Sequence, residues 1–179
     1  EALKKALELK DYEFNAHGVE LGQRYASGAV VPDGTPEPAY DRDPELYYHP
    51  TTWPGARLPH AWLGHRSESG YTKVSTHDVA GNGRFTLLTG IGGEDWAEAA
   101  RRLSDELGVD VHAAVIGPGR EYTDLYDDWA RLRETDEDGC VLVRPDNHVA
   151  WRSLQHVEDP YTALRDVLCA ILDRPVPSA

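Results

Sequence analysis

The sequence of 179 residues lacks methionine altogether and contains only two cysteines. A natural chain begins with methionine, and the opening EALKKALELK is already in helical register with no capping residue ahead of it. We therefore expect the chain to be a fragment of a longer protein. Cys140 and Cys169 lie far apart and form no C-x-x-C pair, which argues against a disulfide framework and against a zinc ribbon.

Basic residues and long apolar runs are also scarce. The 18 Lys and Arg residues stand against 31 Asp and Glu residues, and the net charge of −13 argues against binding to nucleic acid or anionic membranes. No apolar run approaches the ~20 residues that a membrane-spanning helix needs, and no signal peptide opens the chain. The sequence therefore predicts a cytoplasmic protein without nucleic-acid or membrane partners.

Residues 32–57 contain six prolines, mixed with acidic residues and glycine. This density of prolines is incompatible with a helix or a central strand, and it predicts a linker or an extended surface crossing. The segment separates a short N-terminal piece, residues 1–31, from a compact region, residues 58–179. A length of 179 residues suits one ordinary domain with an appendage.

Strand and helix patterns alternate in the compact region. The predicted elements are a short strand at 60–64, a buried strand at 84–91, a helix from Glu94 to Leu107 ended by Gly108, a strand at 109–117, a helix at 120–133, a hairpin at 140–152 and a helix opened by Asp159 and Pro160. From the buried strand onward the order is β-α-β-α-β-β-α, which predicts an α/β fold with a mixed sheet covered on both faces. This is the topology of a thioredoxin-like domain, here with an N-terminal extension.

The hairpin CVLVRPDNHVAWR is strongly patterned and carries two arginines. A two-residue turn at Asp146 and Asn147 is expected, because asparagine tolerates the positive φ that such a turn requires. The cross-strand pairs expected from this turn are Leu142 with Trp151, Arg144 with Val149 and Val141 with Arg152. Arg144 and Arg152 then point to opposite faces of the hairpin, so they cannot bind one anion together.

The glycine-rich turn TGIGGEDW lies between a strand and a helix, the position of many nucleotide and redox sites. It supplies Gly90, Gly92 and Gly93 but places Asp95 where the dinucleotide fingerprint requires its third glycine. Two acids at the helix start would repel a phosphate, and the turn contains no cysteine that could form a redox pair. The pattern therefore predicts a tight turn without nucleotide binding or disulfide exchange.

Histidine and serine patterns indicate no catalytic or metal site. The eight histidines are scattered and show neither H-x-x-x-H nor H-E-x-x-H spacing. Ser75, His77 and Asp78 are close together in the segment STHDV, and neighbouring residues of a strand point to opposite faces. A catalytic triad instead requires groups that converge from separate segments. No residue is predicted to be catalytic, cofactor-binding or metal-ligating.

Several segments nevertheless resemble those of one enzyme family. LVRPDNHVAWR is similar to the LVRPDGHVAWR signature near the C-terminus of FAD-dependent aromatic-ring hydroxylases, the group of phenol and 2,4-dichlorophenol monooxygenases and polyketide hydroxylases. NAHGVELGQRYASGAVVPDGTPEP, DPELYYHPTTWPGARLPHAWL and STHDVAGNGRFTLLTG resemble further blocks of the same enzymes. Asn147 departs from the glycine of the family pattern, and the turn argument makes this substitution mild.

The resemblance implies a parent enzyme that uses FAD and NAD(P)H to place one oxygen atom on a phenolic or polycyclic aromatic ring. The family's flavin-binding G-x-G-x-x-G unit and its later Gly-Asp motif have no counterpart in this sequence, so no family residue role is transferred to it. Residues 1–31 then correspond to the end of the flavin and substrate region, 32–57 to the linker and 58–179 to the thioredoxin-like C-terminal domain. The implied partner is the N-terminal FAD-binding domain of the same chain, with a homodimer as a further expectation.

An alternative interpretation is a redox-inactive thioredoxin-like module for dimerisation or docking. The aromatic-rich YYHPTTWPGARLPHAWL, residues 47–63, would then provide its exposed patch. A third interpretation, an active thiol oxidoreductase, conflicts with the positions of the two cysteines. His17 and Arg24 of the N-terminal piece are candidates to approach the active region of a parent enzyme.

Overall fold

The computed structural model describes residues 1–68 and 70–176, and its strands form two β-sheets. The helices are α1 (Ala2–Phe14), α2 (His17–Leu21), α3 (Thr76–Val79), α4 (Glu94–Leu107), α5 (Asp128–Leu132) and α6 (Pro160–Ile171). The strands are β1 (Trp62–Ser67), β2 (Gly70–Ser75), β3 (Phe85–Thr89), β4 (Val111–Val115), β5 (Tyr122–Asp124), β6 (Cys140–Val143) and β7 (Val149–Ser153). Within the described ranges, no helix has both the length and the apolar character needed to cross a membrane.

A four-stranded mixed sheet with the order β4-β3-β6-β7 forms the centre of the C-terminal region. β3 runs parallel to β4 and antiparallel to β6, and β6 pairs antiparallel with β7. All residues of β3 are buried, because strands flank it on both sides and packed layers cover both faces. A continuous apolar run is typical of such a position, and the predicted mixed α/β architecture is confirmed.

Helices α4 and α6 cover one face of this sheet. The buried residues of α4 are Trp96, Ala97, Ala99, Ala100 and Leu103. Gly108 ends α4 in the left-handed conformation with a φ of 62°, as its position predicts. The carboxylate of Asp159 accepts a hydrogen bond from the Thr162 N–H, and Pro160 is the first residue of α6, so this helix start is also confirmed.

A three-stranded sheet with the order β2-β1-β5 packs against the opposite face. Leu63 of β1 and Tyr122 of β5 share one hydrophobic cluster with Leu88 of β3 and Val141 of β6. The burial of both faces is therefore achieved with helices on one side and mainly with a second sheet on the other. The exposed edge strand β2 and the short helix α3 lie outside the predicted elements.

The segment 120–133 does not form the single helix predicted for it. Its first part is β5, which pairs with β1, and only its second part is helical, as α5. Asp127 has a φ of 57°, and this left-handed residue interrupts any continuous helix. The ring of Tyr122 stacks on that of His65 at a centroid distance of 4.9 Å. This tertiary contact decides the local structure against the helical pattern.

The hairpin of β6 and β7 has a three-residue loop instead of the predicted two-residue turn. The Asn147 N–H donates to Arg144 O at 3.0 Å, which closes a turn with the loop residues Pro145–Asn147. Proline suits the second position of a type I turn, and one left-handed residue then completes the loop. The register shifts here, so Val143 lies opposite Val149, where Arg144 was expected. The pairs Leu142 with Trp151 and Val141 with Arg152 are confirmed.

Asn147 holds the predicted left-handed conformation, with a φ of 64°. We expect Asn147→Ala to be less stable than Asn147→Gly by about 1 kcal/mol, because a Cβ strains this conformation in alanine and glycine has none. Both variants remove the amide group, so their difference isolates the backbone effect. The midpoints of urea unfolding measure it, and equal midpoints would contradict the left-handed turn.

Candidate functional site

Arg152 projects from β7 into a buried polar site and is only 5% exposed. Its Nε donates to Asp33 Oδ2 at 2.5 Å, and its Nη1 donates to Glu134 Oε2 at 2.7 Å. Nη1 also donates to Thr52 Oγ1 at 3.0 Å, and Nη2 donates to Thr35 Oγ1 at 3.3 Å. One guanidinium is therefore bound by two carboxylates and two hydroxyl groups.

Three segments that are remote in sequence meet at this site. The Glu134 Oε2 atom, just after α5, also accepts hydrogen bonds from Thr51 Oγ1 at 2.7 Å and from the Thr52 N–H at 3.1 Å. Asp33 Oδ1 accepts a further bond from the Thr35 N–H at 2.9 Å. These bonds connect the proline-rich segment to the loop after α5 and to β7.

Backbone hydrogen bonds hold both ends of the proline-rich segment along β7. The Val31 N–H donates to Ala150 O, and the Gly55 N–H donates to Val149 O, each at 2.8 Å. Gly55 has a φ of 96°, and a Cβ at this position would lie 2.1 Å from Tyr25 O. Only glycine therefore permits the backbone at residue 55 to lie so close to the Tyr25 carbonyl.

The buried charges of the Arg152 site stabilise one another. Burial by itself raises the pKa of Asp33, but hydrogen bonds from Thr35 and Arg152 outweigh it and hold the net pKa below its ordinary value. All three guanidinium nitrogens bind acceptors within the chain. This arrangement is that of a structural anchor.

Arg144 takes no part in this anchor, in line with the predicted divergence of the two arginines. Its Nη2 donates to Asp146 Oδ2 at 2.7 Å in the hairpin loop. Arg152, in contrast, lies beneath the proline-rich segment. The two arginines therefore serve separate carboxylates and do not form one anion site.

The glycine-rich turn before α4 is filled by the chain itself. A Cβ at Gly93 would lie 1.9 Å from Thr89 Oγ1, and a Cβ at Gly90 would lie 2.5 Å from Glu137 O. These glycines therefore serve the close packing of β3 and α4 against the segment before β6. They leave no cradle for a phosphate group.

Carboxylates of α4 occupy the helix start, where a phosphate would otherwise bind. The Gly92 N–H donates to Glu94 Oε2 at 2.9 Å, and Arg120 pairs with the same carboxylate group. Asp95 Oδ2 lies 3.5 Å from His156 Nε2. The residues of this turn therefore do not fit the pyrophosphate of FAD or of NAD(P)H, cofactors that the family resemblance implies for a parent enzyme.

Ser75 and Asp78 form a capping box at the start of α3. Asp78 Oδ2 accepts hydrogen bonds from the Ser75 N–H and from Ser75 Oγ, each at 2.7 Å. His77 Nε2 lies 2.6 Å from Leu58 O, and burial lowers the pKa of His77. These residues are a helix cap and a first turn, where the pattern suggested strand residues, and they do not converge as a triad.

The side chains of His17 and Arg24 are each paired with a glutamate of this chain. His17 Nδ1 lies 3.3 Å from Glu20 Oε2, and Arg24 Nη1 donates to Glu37 Oε1 at 2.7 Å. The Arg24 guanidinium also lies 4.5 Å from the centroid of the Tyr40 ring. In residues 1–68 and 70–176, no group of three or more His, Cys, Asp or Glu residues is placed to hold a metal ion.

The aromatic-rich stretch 47–63 is largely internal, which corrects its interpretation as an exposed patch. Thr52, Leu58 and Ala61 are buried, whereas Tyr47 and Trp62 keep exposed sides. The reason is that Leu58 and Ala61 belong to the hydrophobic cluster between the two sheets.

An apolar cleft of about 260 Å³ lies beside this stretch. Tyr25, Val30 and Trp53 are among its lining residues, together with two prolines. No carboxylate, histidine or lysine lines the cleft. It can therefore receive an apolar group, but it offers no general acid or base of those types.

Residues 51–175 match the family model for the C-terminal domain of aromatic-ring hydroxylases. The chain belongs to this family. The resemblance to phenol and dichlorophenol monooxygenases and to polyketide hydroxylases is thereby confirmed. The match includes the hairpin, both sheets and the helices α3 to α6 of this aromatic-ring hydroxylase C-terminal domain.

Individual relatives are similar over nearly the whole chain. The phenol 2-monooxygenase of Pseudomonas sp. (strain EST1001) is 54% identical over 176 residues, which cover 97% of this chain and 28% of that protein. The 2,4-dichlorophenol 6-monooxygenase of Delftia acidovorans is 47% identical over 171 residues, which cover 96% of this chain and 28% of that protein. The solved structure of the flavin-dependent monooxygenase PieE, in complex with FAD and substrate, is 56% identical with a TM-score of 0.87, over 97% of this chain and 29% of that chain. The chain thus spans just over a quarter of the length of these relatives.

Sequence reasoning places Arg152 on the hairpin but does not predict its partners. Asp33 and Glu134 lie 119 and 18 residues away from it in the sequence. The available signal is an arginine within a buried apolar strand, which requires a carboxylate partner. Which of the 31 acidic residues supplies it depends on the tertiary path of the chain.

Arg152→Met is expected to lower the free energy of unfolding by about 3–5 kcal/mol, because it leaves the buried carboxylate of Asp33 without its counter-charge. Arg144→Met, in the same hairpin, is the matched control. It is expected to cost less than about 1 kcal/mol, since its pair with Asp146 lies near the surface. Urea unfolding measures both, and equal costs would argue against the anchor.

Asp33 is expected to make the stability of the fold depend on pH. Its folded pKa is lowered, so its contribution is complete above the unfolded pKa of about 3.9 and is lost as the pH falls through the folded pKa. Asp33→Asn should therefore have a lower melting temperature than the parent sequence near neutral pH, and the gap should narrow in strong acid. Thermal unfolding from about pH 2 to pH 7 measures this gap. A gap that does not change with pH would speak against an ionised Asp33.

Proposed function

We propose that the chain is the C-terminal part of an FAD- and NAD(P)H-dependent monooxygenase that hydroxylates phenolic or polycyclic aromatic compounds. The observation that carries this proposal is the 54% identity to a phenol 2-monooxygenase over 97% of the chain. A 2,4-dichlorophenol 6-monooxygenase and a putative polyketide hydroxylase of Streptomyces coelicolor, 47% and 34% identical, support the same class of reaction.

Within that enzyme the chain has a structural role and contributes no catalytic residue. The support comes from the polar groups described above, since the candidate residues of every sequence motif bind one another. The Gly92 N–H binds the Glu94 carboxylate, Ser75 and Asp78 cap α3, and Arg152 anchors the proline-rich segment. FAD and NAD(P)H are accordingly assigned to the remainder of the enzyme.

The proposed organisation is the end of the flavin and substrate region at 1–31, a linker at 32–57 that packs on the following domain, and a thioredoxin-like domain at 58–179. The strand order β4-β3-β6-β7, with one parallel and two antiparallel pairs, supports the thioredoxin-like assignment. The domain is redox-inactive, because Cys140 and Cys169 are buried in different elements and burial raises the pKa of Cys140. The cytoplasmic location stays a prediction.

A chimera tests the proposal. In the Pseudomonas phenol 2-monooxygenase, the 28% that matches this chain is replaced by residues 1–179. We expect the chimera to retain FAD and to hydroxylate phenol, because a part that is 54% identical to the one it replaces should adopt the same fold. The isolated chain is expected to leave the absorbance spectrum of added FAD unchanged. A folded chimera without flavin, or stoichiometric FAD binding by the isolated chain, would contradict the proposal.

The alternative function, a redox-inactive module for dimerisation or docking, is favoured by one surface. The outer face of the three-stranded sheet and the residues after β5 expose Trp62, Tyr71, Leu125 and Tyr126. Lys73 Nζ lies 4.1 Å from the Trp62 centroid and 5.2 Å from the Tyr126 centroid, so a cation already covers part of this surface. An inactive chimera together with a stable homodimer of the isolated chain would favour this function over the first.

A further inference from the structure

Helix α1 presents an apolar stripe to solvent. Leu3, Leu7 and Phe14 lie on one face, because residues four and eleven positions apart fall within a narrow arc of an α-helix. Their exposed fractions are 74%, 59% and 67%. None of the residues of α1 is buried, so the helix makes no contribution to the core of the described chain.

Helix α1 lacks the packing that normally stabilises a helix of its length. It has 13 residues, and isolated helices shorter than ~12–15 residues are marginal in water. Tyr12 donates a hydrogen bond to Asp43, but an exposed bond of this kind contributes only about 1 kcal/mol. The stripe therefore needs a partner surface to hold the helix in place.

The charges of α1 indicate what kind of surface this is. Lys4 pairs with Glu8 and Lys10 with Glu13, so the helix neutralises most of its own charge. Lys10 Nζ lies 5.0 Å from the centroid of Phe14, within the stripe. Two copies of α1 packed through the stripe would bring Lys10 of each copy into the apolar contact, which is unfavourable. An apolar groove with an acidic or polar rim suits the stripe better than a second copy does.

The position of α1 identifies the polypeptide that carries this groove. The match to the Pseudomonas phenol 2-monooxygenase covers 97% of this chain, most of α1 included, and 28% of that protein. The matched family is a C-terminal domain, so the bulk of that protein precedes the matched portion in the sequence. Resting on the function proposed above, we infer that the stripe of Leu3, Leu7 and Phe14 docks onto the flavin-binding portion of the same enzyme.

Amide hydrogen exchange tests this docking in the isolated chain and in the chimera. In the isolated chain the α1 amides should exchange within about tenfold of the rate of an unstructured peptide, while β3 and β6 stay protected. In the chimera the α1 amides should slow by at least about tenfold, because the stripe is covered. Equal exchange of α1 in both proteins would overturn the inference.

Two matched variants separate the stripe from a general effect of helix stability. Leu7→Glu places a charge in the stripe, whereas Leu9→Glu makes the same change on the opposite side of α1, at a residue that is 69% exposed. In the chimera, Leu7→Glu should return the α1 amides to fast exchange, and Leu9→Glu should leave them slow. Equal effects of the two variants would show that the stripe is not the docking face.

The two proposals fail in different ways. A chimera that lacks FAD contradicts the proposed function. The docking inference is then tested only by the amide exchange of α1 in the isolated chain. Slow α1 exchange in a monomer, or a dimer that Leu7→Glu dissociates, would overturn the inference by providing the stripe with a partner inside the chain or in a second copy. Fast α1 exchange in a monomer with a protected sheet would support it.

Discussion

One buried guanidinium determines how the extended part of this chain lies on its folded part. Arg152 is almost inaccessible to water, and removing a charge from water is costly unless geometry and partners compensate. Its acceptors come from the proline-rich segment and from Glu134, the second residue after α5. The hairpin is therefore fully stable only when both of these segments have reached their final positions. This mutual dependence makes the crossing segment part of the fold.

Polar groups in the sequence motifs that resemble functional sites are likewise paired within the chain. The glycine-rich turn, the STHDV segment and the hairpin arginines each resemble a site in the sequence. In the structure each is satisfied by neighbours: Glu94 accepts a hydrogen bond from the Gly92 N–H, Asp78 binds Ser75, and Asp146 binds Arg144. Groups that are already bound have little capacity to bind a substrate. This pairing is the basis of the structural role proposed above.

The parts of the fold that follow from local pattern were predictable. The apolar run of β3, the spacing of apolar residues in α4 and the caps of α4 and α6 each depend on residues close in sequence. The segment 120–133 was not predictable, because its helical pattern is overruled by the pairing of Tyr122 with His65 and by the left-handed Asp127. The predicted hairpin loop was one residue too short, because Pro145 favours a type I turn. The partners of Arg152 were beyond reach for a related reason, as Asp33 lies 119 residues away.

The hydrogen bonds from Val31 and Gly55 have a consequence for the sheet that they meet. β7 is the terminal strand of its sheet, and such strands offer unpaired backbone groups that recruit strands of other molecules. Here Ala150 O and Val149 O accept bonds from the crossing segment, and the Val149 N–H donates to Ala56 O. The end of this segment pairs with the strand only briefly, through the antiparallel bridge of Arg57 with His148, and the prolines before it have no N–H group with which another strand could pair. The segment between Val31 and Ala56 thereby covers the edge of β7 and hinders its pairing with strands of other molecules.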